Sequence, residues 1–275
     1  MSLAASSERM SPIVSLASTK GGVGKTTIAY VLATEVVRRF ASGYGPAMPM
    51  HGRVTCIDAD PNRTLSQVLG LTEDSSITCI ESDSDRLLGD LRHAQAESDL
   101  VVIDLEGTAN QAMLYAAGKS DLVLVPAQPS RFDVVEAVKT IGVVRKAADL
   151  VGRDIAHRVV LSRSPVLRQR VAEHSRAQFV RAGLPVLPVE LVQRAAFQSM
   201  TYTGKPPYRQ DGGEQAAANV TSLTDAVLAI IGLRLPLMTS AAEAMSETAE
   251  ATSSDLVSAR GPIPRFRMFN RLYES

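Results

Sequence analysis

STKGGVGKTT, residues 18–27, stands between an apolar run, IVSLAS (13–18), and a helical stretch from about Thr26 to Phe40. A strand, a glycine loop and Lys-Thr at the mouth of a helix make a phosphate-binding loop. Its glycines let backbone N–H groups converge on phosphate oxygens, and the helix start adds partial positive charge. Gly21, Gly22, Val23 and Gly24 are the expected cradle, with Lys25 reaching the β- and γ-phosphates. The Thr26 hydroxyl is placed to bind Mg²⁺, and Thr27 completes the nucleotide-binding stretch. One lysine, Lys20, is surplus to that chemistry.

Outward from the loop, the chain keeps the same alternation. RVTCID (53–58), SITCIE (76–81), LVVIDL (100–105), LVLVPA (122–127), RVVLSR (158–163) and PVLPVEL (185–191) read as strands. They are continuous apolar runs, the pattern of strands covered on both faces. Helical segments fill the gaps, notably 131–149, 166–182 and 213–232. The expected fold is α/β: a single P-loop NTPase domain over 13–235, built on a mostly parallel twisted sheet with helices on both faces. Residues 1–12 read as a disordered arm and ASGYGPAMPMHG (41–52) as a surface loop. Residues 236–275 read as a mostly disordered tail ending in a short basic-aromatic motif, RFRMFNRLY (265–273).

Composition excludes several classes. The 275 residues carry no formal net charge, so overall charge implies no partner. The two cysteines, Cys56 and Cys79, lie in apolar runs, read as reduced buried thiols on what are candidates for adjacent strands, and make no metal site. No run of eighteen apolar residues suggests a membrane span, and the N-terminus lacks the apolar core of a secretory signal.

In the common loop G-x-x-x-x-G-K-[ST], the first glycine would fall at Thr19, with Lys20 next. This K-G-G-x-G-K-T-T form resembles the deviant loop of the ParA/MinD family of ATPases. Lys20 is too close along the backbone to share the grip of Lys25, so a second cation at the phosphates is best delivered in trans, as an arginine finger is. The resemblance implies just that: Lys20 reaches the nucleotide of a partner subunit, and ATP controls homodimerisation. A solvated surface lysine is the plain alternative. In CIDADPN, Asp60 matches the family position whose carboxylate orients the attacking water, and Asp58 lies nearer the metal. Asp104 of LVVIDLEG is the Walker B candidate, holding Mg²⁺ through water. DLEGT departs from the family there: Glu106 replaces the expected proline, and Gly107 keeps the loop mobile. LVLVPAQPS, followed by Asp133 and Glu136, resembles the family's strand end near the nucleotide and dimer face. Ser162 and Arg163 stand where relatives often carry an asparagine that reads adenine, so ATP over GTP rests on the resemblance alone.

The likeness covers roughly residues 13–232 and is nearest to a plasmid-borne branch holding partition ATPases and the conjugation-associated ATPases of the Vir system. From Arg158 to Arg209, nine basic residues face two acidic ones, a net of about +7. Such a run suits phosphate backbones. Arg168, Arg170, Arg176, Arg181, Arg194, Lys205 and Arg209 are the candidate DNA-binding residues. The family implies non-specific DNA binding by the ATP dimer, slow hydrolysis with Lys20, Lys25 and Asp60 as catalytic groups, and a ParB-like or other cargo adaptor as partner. It also implies a cytoplasmic, nucleoid-associated protein. The rival readings are a MinD-like membrane-cycling regulator, for which the two-turn tail motif is a weak anchor, and an ATPase promoting conjugative DNA transfer.

Overall fold

The structure, a computed structural model, describes residues 10–43, 52–72, 74–166 and 170–235. Most of the N-terminal arm, most of the Gly/Pro-rich connection, Arg168 and the tail from Pro236 lie outside the described residues. Strands and helices alternate along the rest: β1 (Ile13–Leu16), α1 (Lys25–Gly43), β2 (Val54–Ala59), α2 (Thr64–Leu69), β3 (Ile77–Glu81), α3 (Leu87–Glu97), β4 (Leu100–Leu105) and α4 (Gln111–Lys119). Then come β5 (Leu122–Ala127), α5 (Arg131–Val151), β6 (Ala156–Ser164), α6 (Arg170–Arg181), β7 (Leu191–Val192), α7 (Ala195–Thr203), a 3₁₀ turn at Pro207–Arg209, and α8 (Glu214–Ile231).

The strands form one sheet in the order β3-β2-β4-β1-β5-β6-β7, and all pairings are parallel. β2, β4 and β5 are buried at every residue, as their unbroken apolar sequences require. Alternate residues serve two cores. Val14, Leu16, Cys56 and Val102 point into a layer with α1, α2, α7 and α8. Ile13, Ile57, Ile103 and Val125 point into the opposite layer with α3, α4, α5 and α6. The expected doubly covered parallel sheet is therefore what forms.

Cys56 and Cys79 are register neighbours on β2 and β3, and both are free thiols. PVLPVEL is the strand that sequence misjudges. Only Leu191–Val192 pairs as β7, with one further bridge from Val186 to Val159. Pro185 and Pro188 carry no N–H for a ladder, so the run cannot continue as a strand. On the other flank, Arg39 is fully buried, bonded to Glu35 at 3.0 Å and Asp225 at 2.6 Å. The network ties α1 to α8 and so fixes the helix whose first residue is Lys25. Among the described residues no helix is long and apolar enough to cross a membrane.

Candidate functional site

The site lies at the carboxyl ends of the central strands, where open α/β sheets place ligands. β1 runs straight into the loop 17–24. Gly22 and Gly24 hold φ of +71° and +95°, a left-handed backbone that side-chain-bearing residues rarely adopt. α1 begins at Lys25 with no acidic residue in its first turn, leaving the positive end of the helix open to an anion. Lys25 is buried. Burial lowers its pKa, opposed by the negative charges of Asp104, Asp60 and Glu106.

Strand register gathers the carboxylates. Leu16 pairs with Asp104, and Asp58 pairs with Asp104 on the next strand. Asp104 is wholly buried and accepts the Thr26 hydroxyl at 2.6 Å on Oδ2. Its Oδ1 is buried with no hydrogen-bond partner. Burial pushes the carboxyl up to about 7. A buried carboxylate oxygen without a donor, one bond away from a helix-start hydroxyl, fits a hydrated cation arriving with phosphates. No group of three or more His, Cys, Asp or Glu among the described residues could hold a metal alone. Mg²⁺ is commonly held by one or two protein groups with phosphate and water, and Thr26 and Asp104 would be those groups here.

Asp58 and Asp60 stand as expected, one in the strand and one just past it, but both are already engaged. The Asp58 carboxylate accepts the backbone N–H of Asp60 at 3.1 Å and of Ser66 at 2.9 Å, and burial raises its pKa against those bonds. Asp60 is half-buried and accepts both the backbone and side-chain N–H of Asn62 at 2.9 Å.

Lys20 is not a free surface lysine in this chain. Its ammonium meets Asp133 at 2.9 Å; the lysine is 38% exposed and the aspartate 2%. Asp133 sits in the first turn of α5, whose cap is Ser130. Burial opposes its charge, yet hydrogen bonds from the Ser130 hydroxyl, the Lys20 ammonium and the Gln128 N–H hold its pKa below the usual range. The loop is strapped to the same helix elsewhere: the Thr19 hydroxyl donates to Glu136 at 2.7 Å and the Thr19 N–H to Thr140 at 3.1 Å. Sequence marked Asp133 and Glu136 as neighbours of the site but carried no sign of this grip.

Gly107 has a tighter reason than mobility. A Cβ there would stand 3.0 Å from Gly21 N and 3.2 Å from the Lys20 carbonyl carbon, so the loop after β4 lies directly on the Lys20–Gly21 peptide.

Beside the loop opens a cavity of about 440 Å³, walled by Gly24, Thr27, Arg163, Gln193, Arg194 and Phe197. Ser162 donates to the Val23 carbonyl at 2.6 Å and so braces the loop. Arg163 holds a left-handed φ of 52° at a register shift in β6, which turns it to the cavity rim. Arg194, read from sequence as a DNA contact, belongs to this cavity wall and bonds Gln215 at 2.6 Å.

The basic run does not make one face. α6 packs through Phe179 into the layer of α3, α4 and α5, whereas α7 packs through Phe197 and Met200 into the layer of α1, α2 and α8. Arg176 is tied to Glu190 at 3.1 Å, and Arg181 is exposed on the α6 side. Lys205 and Arg209 share a hollow on the α7 side. Residues adjacent in sequence are thus parted by the sheet. The Arg170 side chain and Arg168 lie outside what is described.

A glycine loop between β1 and α1, with its hydroxyl bonded to an aspartate on the neighbouring β4 and a second lysine at position 20, defines a P-loop ATPase of the ParA/MinD type. Within it, the chain belongs to the VirC1 protein family, whose match spans residues 11–207. Protein ParA of Rhizobium radiobacter is 29% identical over 196 residues, 70% of this chain and 83% of that protein. Maintenance of carboxysome distribution protein A of Halothiobacillus neapolitanus is 26% identical over 220 residues, 78% of this chain and 95% of that protein. The structure of a Cyanothece McdA–ATP complex has the same fold, with a TM-score of 0.66 at 18% identity, over 83% of this chain and 99% of that one.

Proposed function

We propose that the chain is an ATP- and Mg²⁺-dependent ATPase that positions or segregates DNA cargo by cycling between a monomer and a nucleotide-sandwiched homodimer. The observation that carries the reading is the placement of Lys20. It stands at the mouth of the phosphate loop, yet its ammonium is turned onto Asp133 rather than onto Lys25's site. A cation parked on a partly exposed ion pair is available to a second subunit, while Lys25, buried beneath the loop, serves its own nucleotide.

In this reading Gly21 to Gly24 and the start of α1 hold the phosphates, and Lys25 neutralises the β- and γ-oxygens. Mg²⁺, when bound, offsets charge on the same oxygens; Thr26 and the unpartnered oxygen of Asp104 are the groups that would hold it and its water. Asp60 orients the attacking water. Asp58 holds Asp60 and the start of α2 through its two backbone bonds, and so acts on the metal corner at one remove. Hydrolysis is slow until a cargo-bound adaptor stimulates it. DNA binding falls on the α7 side, where Arg194 shares a cavity wall with the exposed Tyr202, and Lys205 and Arg209 line a separate hollow. Contacts of that kind are sequence-independent and salt-sensitive, and would keep the dimer on the nucleoid.

The similarity to a ParA protein and to a carboxysome distribution protein supports a partition or positioning engine. Conjugative DNA transfer, which the likeness to the Vir-system ATPases implies, is the rival cargo reading beside plasmid segregation. Sedimentation of the full chain with Mg²⁺ and ATPγS, set against ADP, tests the cycle. Dimers with ATPγS alone are expected; a monomer with both nucleotides would contradict it.

A further inference from the structure

One residue of the site remains without a role: Glu106, in the loop directly after β4. Its position is fixed from both sides. Two residues earlier, Asp104 holds the Thr26 hydroxyl. One residue later, Gly107 rests on the Lys20–Gly21 peptide. Glu106 is thus bracketed between the metal corner and the deviant lysine, and its negative charge acts on Lys25, the lysine that a terminal phosphate would meet. Its carboxylate is not spread into solvent. Oε2 accepts both the Thr108 hydroxyl and the Asn110 side-chain amide, each at 3.0 Å. Asn110 uses its other end to cap α4, accepting the Met113 N–H at 2.9 Å. One asparagine therefore links the carboxylate to the start of a helix that packs beside α5, the helix of Asp133.

We infer that Glu106 is a positioning residue that makes the loop after β4 sensitive to the γ-phosphate. The inference rests on the nucleotide reading above. With no terminal phosphate, the tether to Thr108 and Asn110 holds the loop closed on itself and Gly107 against Lys20–Gly21. A γ-phosphate places negative charge near the tethered carboxylate and repels it. Glu106 then leaves Asn110, and the strain passes to the α4 cap and to the peptide that carries Lys20. A diphosphate leaves the tether intact. A proline at this position would hold the loop by its ring and carry no such charge sensitivity.

The consequence is a binding ratio. Glu106→Gln keeps the shape and the two accepted hydrogen bonds but removes the charge. For charges several ångströms apart at a partly exposed site, the effect is about fivefold. Fluorescent Mg²⁺·ATPγS should bind this variant about fivefold more tightly than the unaltered chain, with ADP affinity unchanged. Measurements belong at chain concentrations where sedimentation shows a monomer. Asn110→Ser keeps a cap oxygen while removing the amide that tethers Glu106, and should shift the ratio in the same direction. Hydrogen exchange gives a readout without turnover: residues 107–113 should lose protection with ATPγS but not ADP, and this difference should vanish in Glu106→Gln. Ratios within twofold of the unaltered chain in both variants would overturn the inference. Failure of the unaltered chain to bind either nucleotide would instead overturn the nucleotide reading itself, and this one with it.

Discussion

Replacing Asp133 by asparagine removes the charge that holds Lys20 and leaves its size in place. The pair is short, 2.9 Å, and its aspartate is 2% exposed, which argues for a charge-assisted bond of about 1.5–3 kcal/mol. The lysine end is 38% exposed, so solvent screens the pair and about 1 kcal/mol is a fairer figure. If Lys20 must leave Asp133 to reach a partner's phosphates, that energy opposes dimerisation. Two such pairs break in each dimer, about 2 kcal/mol together, so Asp133→Asn should strengthen the ATPγS dimer about thirtyfold. The variant has a cost elsewhere. Asparagine turns an N–H₂ toward groups that now donate to Asp133, the Ser130 hydroxyl and the Gln128 N–H. Leaving one donor unsatisfied costs about 1–2 kcal/mol, a fall of about 3–6 °C in Tm for a domain of this size. The assay is sedimentation equilibrium over a concentration series with Mg²⁺·ATPγS, alongside thermal unfolding without nucleotide. A tighter dimer from a less stable monomer is the expected combination. A dimer equally weakened by Asp133→Asn and Lys20→Ala would refute the reasoning and make the pair a structural brace.

Other consequences follow from the same geometry. Burial pushes Asp104 up to about 7 and raises Asp58. A carboxyl with a folded pKa above its unfolded value of about 3.9 stabilises the folded chain while protonated, and that contribution is lost as pH rises from about 4 to about 7. The lowered pKa of Asp133 acts only at more acid pH. The nucleotide-free chain should therefore melt lower at pH 8 than at pH 5.5, and Asp104→Asn should flatten the profile; an unchanged slope would contradict the assignment. Gly107→Ala would set a methyl 3.0 Å from Gly21 N, a backbone atom that cannot swing away. Affinity for Mg²⁺·ATPγS should fall about tenfold, about 1.4 kcal/mol, by fluorescence titration, and wild-type affinity would refute the contact. In filter binding of DNA against salt, Lys205→Ala and Arg209→Ala should each reduce the salt slope by about 1, while Arg181→Ala, across the sheet, should leave it unchanged.

Much of this architecture is legible in the residues, for identifiable reasons. β1, β2, β4, β5 and β6 announce themselves as unbroken apolar runs because helices cover both their faces. The Cys56–Cys79 neighbourhood follows from two such runs lying side by side. PVLPVEL shares the apolar content but carries two prolines, and hydrogen-bonding capacity rather than hydropathy decides its fate. The phosphate loop, Thr26, Asp104 and Asp60 are local signals; the structure brings Thr26 onto Asp104 and sets Asp60 just past β2. Lys20 and Asp133 lie 113 residues apart, and nothing local to either predicts their bond. The basic run fails differently. Charge was counted along the chain, but β7 carries the chain from one layer of helices to the other and divides it. Gly107 reads from sequence as a source of loop mobility, and its close approach to the Lys20–Gly21 backbone is visible only in three dimensions.

The central claim is that Lys20 works on a nucleotide held by another copy of the chain. Mixing two inactive variants tests it most directly. Lys20→Ala keeps the loop lysine and binds its own nucleotide; Lys25→Ala loses that grip but keeps Lys20. Neither should hydrolyse ATP alone, yet a mixed dimer holds one nucleotide gripped by Lys25 of one chain and reached by Lys20 of the other. Turnover regained on mixing is the predicted result. Full turnover by Lys20→Ala alone, or none from the mixture, would contradict the account.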